Sequence, residues 1–273
     1  MIKSLFSTFL LVFFLGQSVS AEEVVSLKGE FVQGGIILGQ APSGAEISLD
    51  GQRVKTSKDG HFVFGFGRDA EGPVVLTIST PDGTVEKREL ILKKRDYKIQ
   101  KIEGVAQKYV SPPKEVTERI NRDGKLVAEA RTSNFDEPMY AKGFVWPALG
   151  RISGVYGSQR VFNGVPKRPH FGVDVAAPVG TPITAPAQGI VTLAHPDLYY
   201  SGGTVILDHG HGLSSTFLHM KSVTVKVGDL LQQGDQLGTL GATGRVTGPH
   251  LDWRMNWFKK RVDPQTLVGP MPQ

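Results

Sequence analysis

The sequence predicts a mostly β protein, on three observations. Turn-forming residues are dense, with 33 Gly and 17 Pro among 273 residues. Short β-branched or aromatic runs recur between the turns, and helical periodicity is confined to one stretch. The expected order is a small N-terminal β-sandwich at 22–102, a short helical linker at 103–143 and a C-terminal antiparallel β domain at 144–273, behind a signal peptide at 1–21. Hydrophobic residues make up 40% and charged residues 21%. That balance excludes a disordered chain, and the absence of a glycine period excludes a collagen-like one. With no cysteine, a disulfide framework, a Cys-type zinc site, a thiol nucleophile and an iron–sulfur cluster are excluded. A net charge of +5 suits an anionic polymer but falls short of a nucleic-acid footprint.

The N-terminus reads as an export signal. Lys3 precedes an uncharged apolar run over 5–16, and Val19-Ser20-Ala21 has the small-residue form of a cleavage site. The run is shorter than the roughly 20 residues a bilayer span needs. The mature chain is expected to begin near Glu22, soluble and outside the cytoplasm.

Runs at 31–38, 46–49, 61–66, 74–79 and 85–92 read as the strands of the first domain. Asp50-Gly51, Asp59-Gly60 and Asp82-Gly83 supply hairpin turns, because Gly adopts positive φ without steric cost. His61 is expected at a turn or strand edge, and no chemistry falls to this domain. Ser111 followed by Pro112 and Pro113 opens a helix. Val116, Ile120, Val127 and Ala130 then recur at helical spacing to about Arg131, with Gly124 a point of interruption. The segment reads as a spacer or a clasp, the spacer being favoured.

The last 130 or so residues read as strands at 173–176, 189–194, 204–208, 214–219, 223–227, 236–241 and 250–255. This part carries 11 Lys and Arg, 7 Asp and no Glu. A helix-borne His-Glu-x-x-His zinc site and a Glu-dependent glycosidase pair are therefore excluded. Six of the seven histidines lie here: His170, His195, His209, His211, His219 and His250. His170 stands four residues before Asp174, His219 ends an alternating strand, and His250 and Asp252 are expected on one face of a strand. A catalytic zinc needs three nitrogen or oxygen ligands and an open position. Groups that move a proton and steady an oxyanion must accompany it, and here those roles fall to His and Asp. His209 and His211, in Asp-His-Gly-His-Gly, fit a metal box or a Gly-rich turn equally well. His195, before Pro196, reads as a loop residue.

Together the motifs resemble the lysostaphin-type zinc endopeptidases, also called LytM-domain peptidoglycan hydrolases or metallopeptidase family twenty-three. The first signature is His170-Phe171-Gly172-Val173-Asp174 with Gly180-Thr181-Pro182; the middle one runs from Asp208-His209-Gly210 to Thr216-Phe217-Leu218-His219. The last is Gly248-Pro249-His250-Leu251-Asp252, and Gly154 to Arg160 and Val262-Asp263-Pro264 also fit. The resemblance implies a C-terminal domain of the LytM/lysostaphin peptidase type that cuts peptide bonds in peptidoglycan stems or cross-links. It extends less sharply to the N-terminal region, which looks like that of exported Gram-negative members, and so implies the periplasm.

Carried over by motif, the metal ligands fall on His170 and Asp174, and the non-ligand catalytic histidines on His219 and His250. The third ligand is normally the second His of His-x-His, and that position is Asp252. An Asp ligand makes a His/Asp/Asp set, whose extra negative charge weakens the metal as a Lewis acid and leaves its identity, Zn2+ in the family, less fixed. The bland reading of Asp252 is a hydrogen bond to a neighbour such as Arg254. The competing function is a non-catalytic LytM-type module that binds cell wall or activates a separate amidase.

Overall fold

The computed structural model describes residues 25–102 and 114–272. The export signal and the Ser111-Pro112-Pro113 helix start lie outside the described residues. Seven strands make the N-terminal unit. The strands β1 (Ser26–Gly29), β2 (Ile36–Gln40) and β5 (His61–Gly65) form one sheet. The other is built from β3 (Glu46–Leu49), β4 (Gln52–Val54), β6 (Val74–Ser79) and β7 (Val85–Leu90), in the order β4-β3-β6-β7. In β6 the alternation expected of a half-buried strand is plain: Val74, Leu76 and Ile78 are buried while Val75 is exposed. The strand expected over 31–38 begins only at Ile36, because the chain turns through Gly34 at φ +82°. Phe62, Val63 and Phe64 of β5 are all buried, so both faces of this strand are covered. The outer cover is the C-terminal domain: a Cβ on Gly65 would lie 2.7 Å from Val262 Cγ1. Both halves accordingly contribute to one continuous core.

The next strand, β8 (Ile99–Ile102), leaves the sandwich and pairs in parallel with β10 (Gln159–Phe162), which turns back into β11 (Val165–Pro166). A 3-10 turn (Lys114–Val116) leads into α1 (Thr117–Ala130), which runs through Gly124 without a break. The helix is a clasp rather than the favoured spacer. Val127 and Ala130 pack on buried Leu193, Leu198 and Ile206 of the C-terminal sheet. Arg119 pairs with Asp197 at 2.7 Å, and the Asp123 carboxylate accepts the Tyr199 N–H at 2.7 Å.

The C-terminal sheet contains β9 (Arg151–Gly154), β12 (Gly172–Ala176), β13 (Pro182–Thr184), β14 (Gly189–Leu198), β15 (Gly202–Asp208) and β16 (Leu213–Val223). It also takes in β17 (Leu230–Leu231), β18 (Gln236–Leu240), β19 (Leu251–Trp257) and β20 (Lys260–Val262), before a single-turn helix α2 (Gln265–Val268). Its main path is β17-β14-β15-β16-β19-β12-β9, with β13 and β18 pairing beside β16 and β20 on β19. All the pairings within this sheet are antiparallel. Two expectations are corrected. No separate strand forms at 223–227, since β16 absorbs Val223 and the chain then turns at Gly228, φ +95°. His195 is not a loop residue, since β14 continues past it to Leu198 and pairs it with Thr204. Among the described residues no helix is long and apolar enough to cross a membrane.

Candidate metal centre

The site grows out of one rung of this sheet. Asp252 of β19 stands between Asp174 of β12 and Leu218 of β16 in cross-strand register. Opposed residues share a face, so both carboxylates point to the same side. His170 reaches them from just before β12. Its N–H donates to the Ser158 carbonyl at 2.8 Å, and its own carbonyl accepts from Gly157 N–H at 2.7 Å. That two-bond clip ties His170 to the β10 hairpin, which β8 in turn buttresses.

One nitrogen or oxygen from each of His170, Asp174 and Asp252 lies within 4.8 Å of the others. His170 Nε2 and Asp174 Oδ1 are 3.2 Å apart, buried, and make no hydrogen bond. Buried polar atoms are normally satisfied, so a buried imidazole nitrogen and carboxylate oxygen facing each other without a hydrogen bond fit a pair of ligands to one cation. The donor set, one imidazole and two carboxylates, suits a divalent metal. Burial disfavours charge on His170, but the Asp174 carboxylate beside it and the Asp252 charge outweigh that and hold its pKa above the ordinary value. Glycine keeps the cluster clear: a Cβ on Gly154 would lie 2.1 Å from Asp174 Oδ2.

Asp252 has a second partner. Arg254 Nε donates to Oδ1 and Oδ2, each at 3.0 Å, and Nη2 to Oδ2 at 2.5 Å. Burial alone would raise the Asp252 carboxyl; the Arg254 guanidinium overrides it and holds the pKa below the usual range. The bland reading of Asp252 is therefore a real interaction. It does not exhaust the carboxylate, which has about four lone-pair sites and can accept Arg while offering an oxygen elsewhere.

His219 and His250 stand at the same cluster, ring centroids 4.9 Å apart. His250 lies one residue before β19 rather than inside it, yet its Nε2 comes within 3.8 Å of Asp174 Oδ1. His219 Nδ1 is 2.9 Å from the Thr243 carbonyl and His250 Nδ1 is 2.8 Å from the Gly248 carbonyl. A carbonyl only accepts, so both rings carry their proton on Nδ1 and present an Nε2 lone pair. Burial pushes the His219 pKa below its ordinary value, so this ring is neutral at pH 7. Its backbone has φ +65°, an uncommon conformation for a residue with a Cβ, held by its N–H donating to Ser201 O at 2.8 Å.

All five expected site residues are thus brought together, and the other histidines are not. His209 is wholly buried, with Nδ1 on Gln188 O at 2.7 Å and Nε2 on Ser215 Oγ at 2.8 Å. His211 spends Nε2 on Asp136 O and Nδ1 on the Tyr140 hydroxyl. Both rings are fully occupied, which favours the turn reading of Asp-His-Gly-His-Gly over the metal box. Sequence reasoning missed the carbonyls of Thr243, Gly248 and Ser201, which orient His219 and His250 through backbone atoms that no side-chain motif reports.

Comparison with known proteins agrees with this geometry. Residues 168–264 match the profile of Peptidase family M23. The chain is 34% identical over 147 residues to peptidoglycan DD-endopeptidase ShyA of Vibrio cholerae, covering 52% of this chain and 32% of ShyA. It is 30% identical over 153 residues to DD-carboxypeptidase/endopeptidase Mpg of Neisseria meningitidis, covering 56% of this chain and 33% of Mpg. The chain thus spans about a third of these relatives. A crystal structure of a Pseudomonas aeruginosa protein assigned to peptidase M23 superposes with a TM-score of 0.63 at 29% identity, covering 88% of this chain and 96% of that one. The clustered His170, Asp174, Asp252, His219 and His250 all fall within residues 168–264, so they lie in a stretch of this chain that forms a domain of Peptidase family M23.

Proposed function

We propose that the protein is a zinc-dependent endopeptidase that hydrolyses peptide bonds in peptidoglycan stems or cross-links during cell-wall remodelling. The carrying observation is the buried, facing pair of orphaned ligand atoms on His170 and Asp174, with Asp252 in the same rung and two imidazole lone pairs beside it. The names of ShyA and Mpg support the substrate class. The apolar leader at 5–16 supports export to the periplasm.

In this reading His170, Asp174 and Asp252 hold the metal. When bound, zinc would supply Lewis-acid polarisation of the scissile carbonyl and of the attacking water. His219 Nε2, on a neutral ring, takes a proton from that water. The His219 imidazolium then gives that proton to the nitrogen of the departing amine, while His250 Nε2, next to Asp174, accepts a hydrogen bond from the water's other proton and orients it. Both rings are held by carbonyls on Nδ1, so neither must rotate between steps, and that preorganisation lowers the barrier. Incubation of the purified mature protein with isolated sacculi tests the reading: fragments with new amino groups and an intact N-acetylmuramoyl–alanine amide support it, and cleavage of only glycosidic bonds or that amide overturns it.

A second reading, a non-catalytic wall-binding or amidase-activating module, rests on the Arg254 grip on Asp252. It requires that Arg254 replace the metal rather than accompany it. Sacculus binding with no bound metal and no hydrolysis supports this reading.

A further inference from the structure

The face that carries Asp174 and Asp252 continues into a row of guanidiniums with too few carboxylates to balance them. Three successive rungs can be read from the register. Asp252 lies between Asp174 and Leu218, Arg254 between Gly172 and Thr216, and Asn256 between Ser214 and Arg261. Residues two apart on β19 share a face, with rungs about 7 Å apart. On the second rung Arg131, which follows α1, donates from Nη2 to Thr216 Oγ1 at 3.0 Å. On the third, Arg261 donates to Asn256 Oδ1 at 2.9 Å.

Only Arg254 has a carboxylate partner. Among the described residues, neither Arg131 nor Arg261 forms an ion pair, and Arg131 Nε is buried with no hydrogen-bond partner. Burial, and then the charges of neighbouring arginines, push the Arg131 guanidinium down to about 9 and that of Arg261 down to about 10. Half-buried cations that repel one another, with donors unspent, are what a site for an anion looks like before the anion arrives. The row is not sealed, since 27% of the Arg254 side chain is exposed.

We propose that Arg131, Arg254 and Arg261 form a subsite for a free carboxylate of the peptide ligand. An extended peptide advances about 3.3 Å per residue. A carboxylate at the second rung is then about two residues from a carbonyl held at the first. The ligand class is a short peptide with a terminal or side-chain carboxyl at that separation. This rests on the proposed function for the place of the scissile bond, but carboxylate binding itself needs no catalysis.

Binding is measured on the metal-free full-length mature protein, so that no metal can take the carboxylate. The probes are N-acetyl-alanyl-alanine and its C-terminal amide, followed by calorimetric titration. The free acid is expected to bind about tenfold tighter than the amide, the worth of one charge-assisted contact. Arg131→Gln combined with Arg261→Gln should bring acid and amide to within about twofold, while Arg131→Lys, which keeps the charge, should retain most of the preference. Equal binding of acid and amide by the parent overturns the proposal without any variant, and so does a preference that survives in the folded double variant. Acid preference without sacculus hydrolysis would sink the enzymatic reading and leave the subsite standing. Hydrolysis without acid preference would do the reverse.

Discussion

Arg254 closes on Asp252 with both arms of its fork, engaging both carboxylate oxygens at 2.5–3.0 Å in the same rung as Asp174. The pair does two jobs: it neutralises a buried carboxylate, and it sets how much of that carboxylate is left for a metal. Asp252→Ala should therefore lower zinc affinity by about tenfold or more and also leave a largely buried guanidinium without a partner. Breaking such a pair costs about 3–5 kcal/mol when fully buried, and the partial exposure of Arg254 reduces that to about 2–3 kcal/mol. Asp252→His should raise zinc affinity and shift the activity optimum to lower pH, because a neutral ligand leaves the metal a stronger Lewis acid. Zinc titration against a chromogenic chelator and thermal unfolding of the three proteins check both halves.

The division of roles is tested by paired metal content and turnover. His170→Ala and Asp174→Ala should lose bound metal, since each removes an orphaned ligand atom. His219→Ala and His250→Ala should keep it and lose turnover by about 10²–10⁴-fold, as proton-transfer groups do. Metal loss in His219→Ala as complete as in His170→Ala would reverse the assignment.

Gly154 offers a test that touches no polar group. A Cβ there would lie 2.1 Å from Asp174 Oδ2 and 2.8 Å from its Cγ, and only a side-chain end has to yield. Gly154→Ala should weaken zinc binding about tenfold while costing about 1–3 kcal/mol of stability, the range for overpacking. Unchanged zinc affinity would mean that Asp174 does not need its present position.

Much of this was readable from residue order, and the unread part has a physical reason. The bounds of β3 and β6 were read to the residue, because alternation and flanking turn residues are local signals. The starts of β2, β15 and β16 and the end of β14 differ from the local pattern because glycines turn the chain or because pairing partners lie far away. The short strands β9, β10, β11, β13, β17 and β20 carry too few residues to show a period. That His170, Asp174, His219, His250 and Asp252 come together was legible because their spacings are motif-like. The Arg254 grip was foreseen only as one option, and the link from Arg131 to Thr216 joins residues 85 positions apart, which no local pattern encodes.

Neighbouring Asp208 and His209 should show opposite pH dependence. Burial pushes His209 down to about 4 and Asp208 up to about 6. Between about pH 4 and 6.5 the unfolded chain binds the proton on His209 more readily than the folded one. The stability His209 contributes is thus present above pH 6.5 and lost as pH falls toward 4. For Asp208 the folded state holds the proton, so its contribution is lost as pH rises through about 6. The destabilisation caused by His209→Gln should grow by about 1.4 kcal/mol per pH unit across that window, while that of Asp208→Asn should shrink. Denaturant unfolding at four pH values decides; parallel profiles for parent and variants would contradict the burial argument.

The central claim, that His170, Asp174 and Asp252 hold the metal by which this chain cuts peptidoglycan, is tested most directly by reconstitution. The chelated mature protein is titrated with zinc while fragment release from sacculi is followed. The account predicts no release without metal, recovery complete at one zinc per chain, and no recovery for the His170→Ala and Asp174→Ala double variant. Peptide-bond cleavage by that double variant at the parent's rate, with no zinc bound, would contradict it.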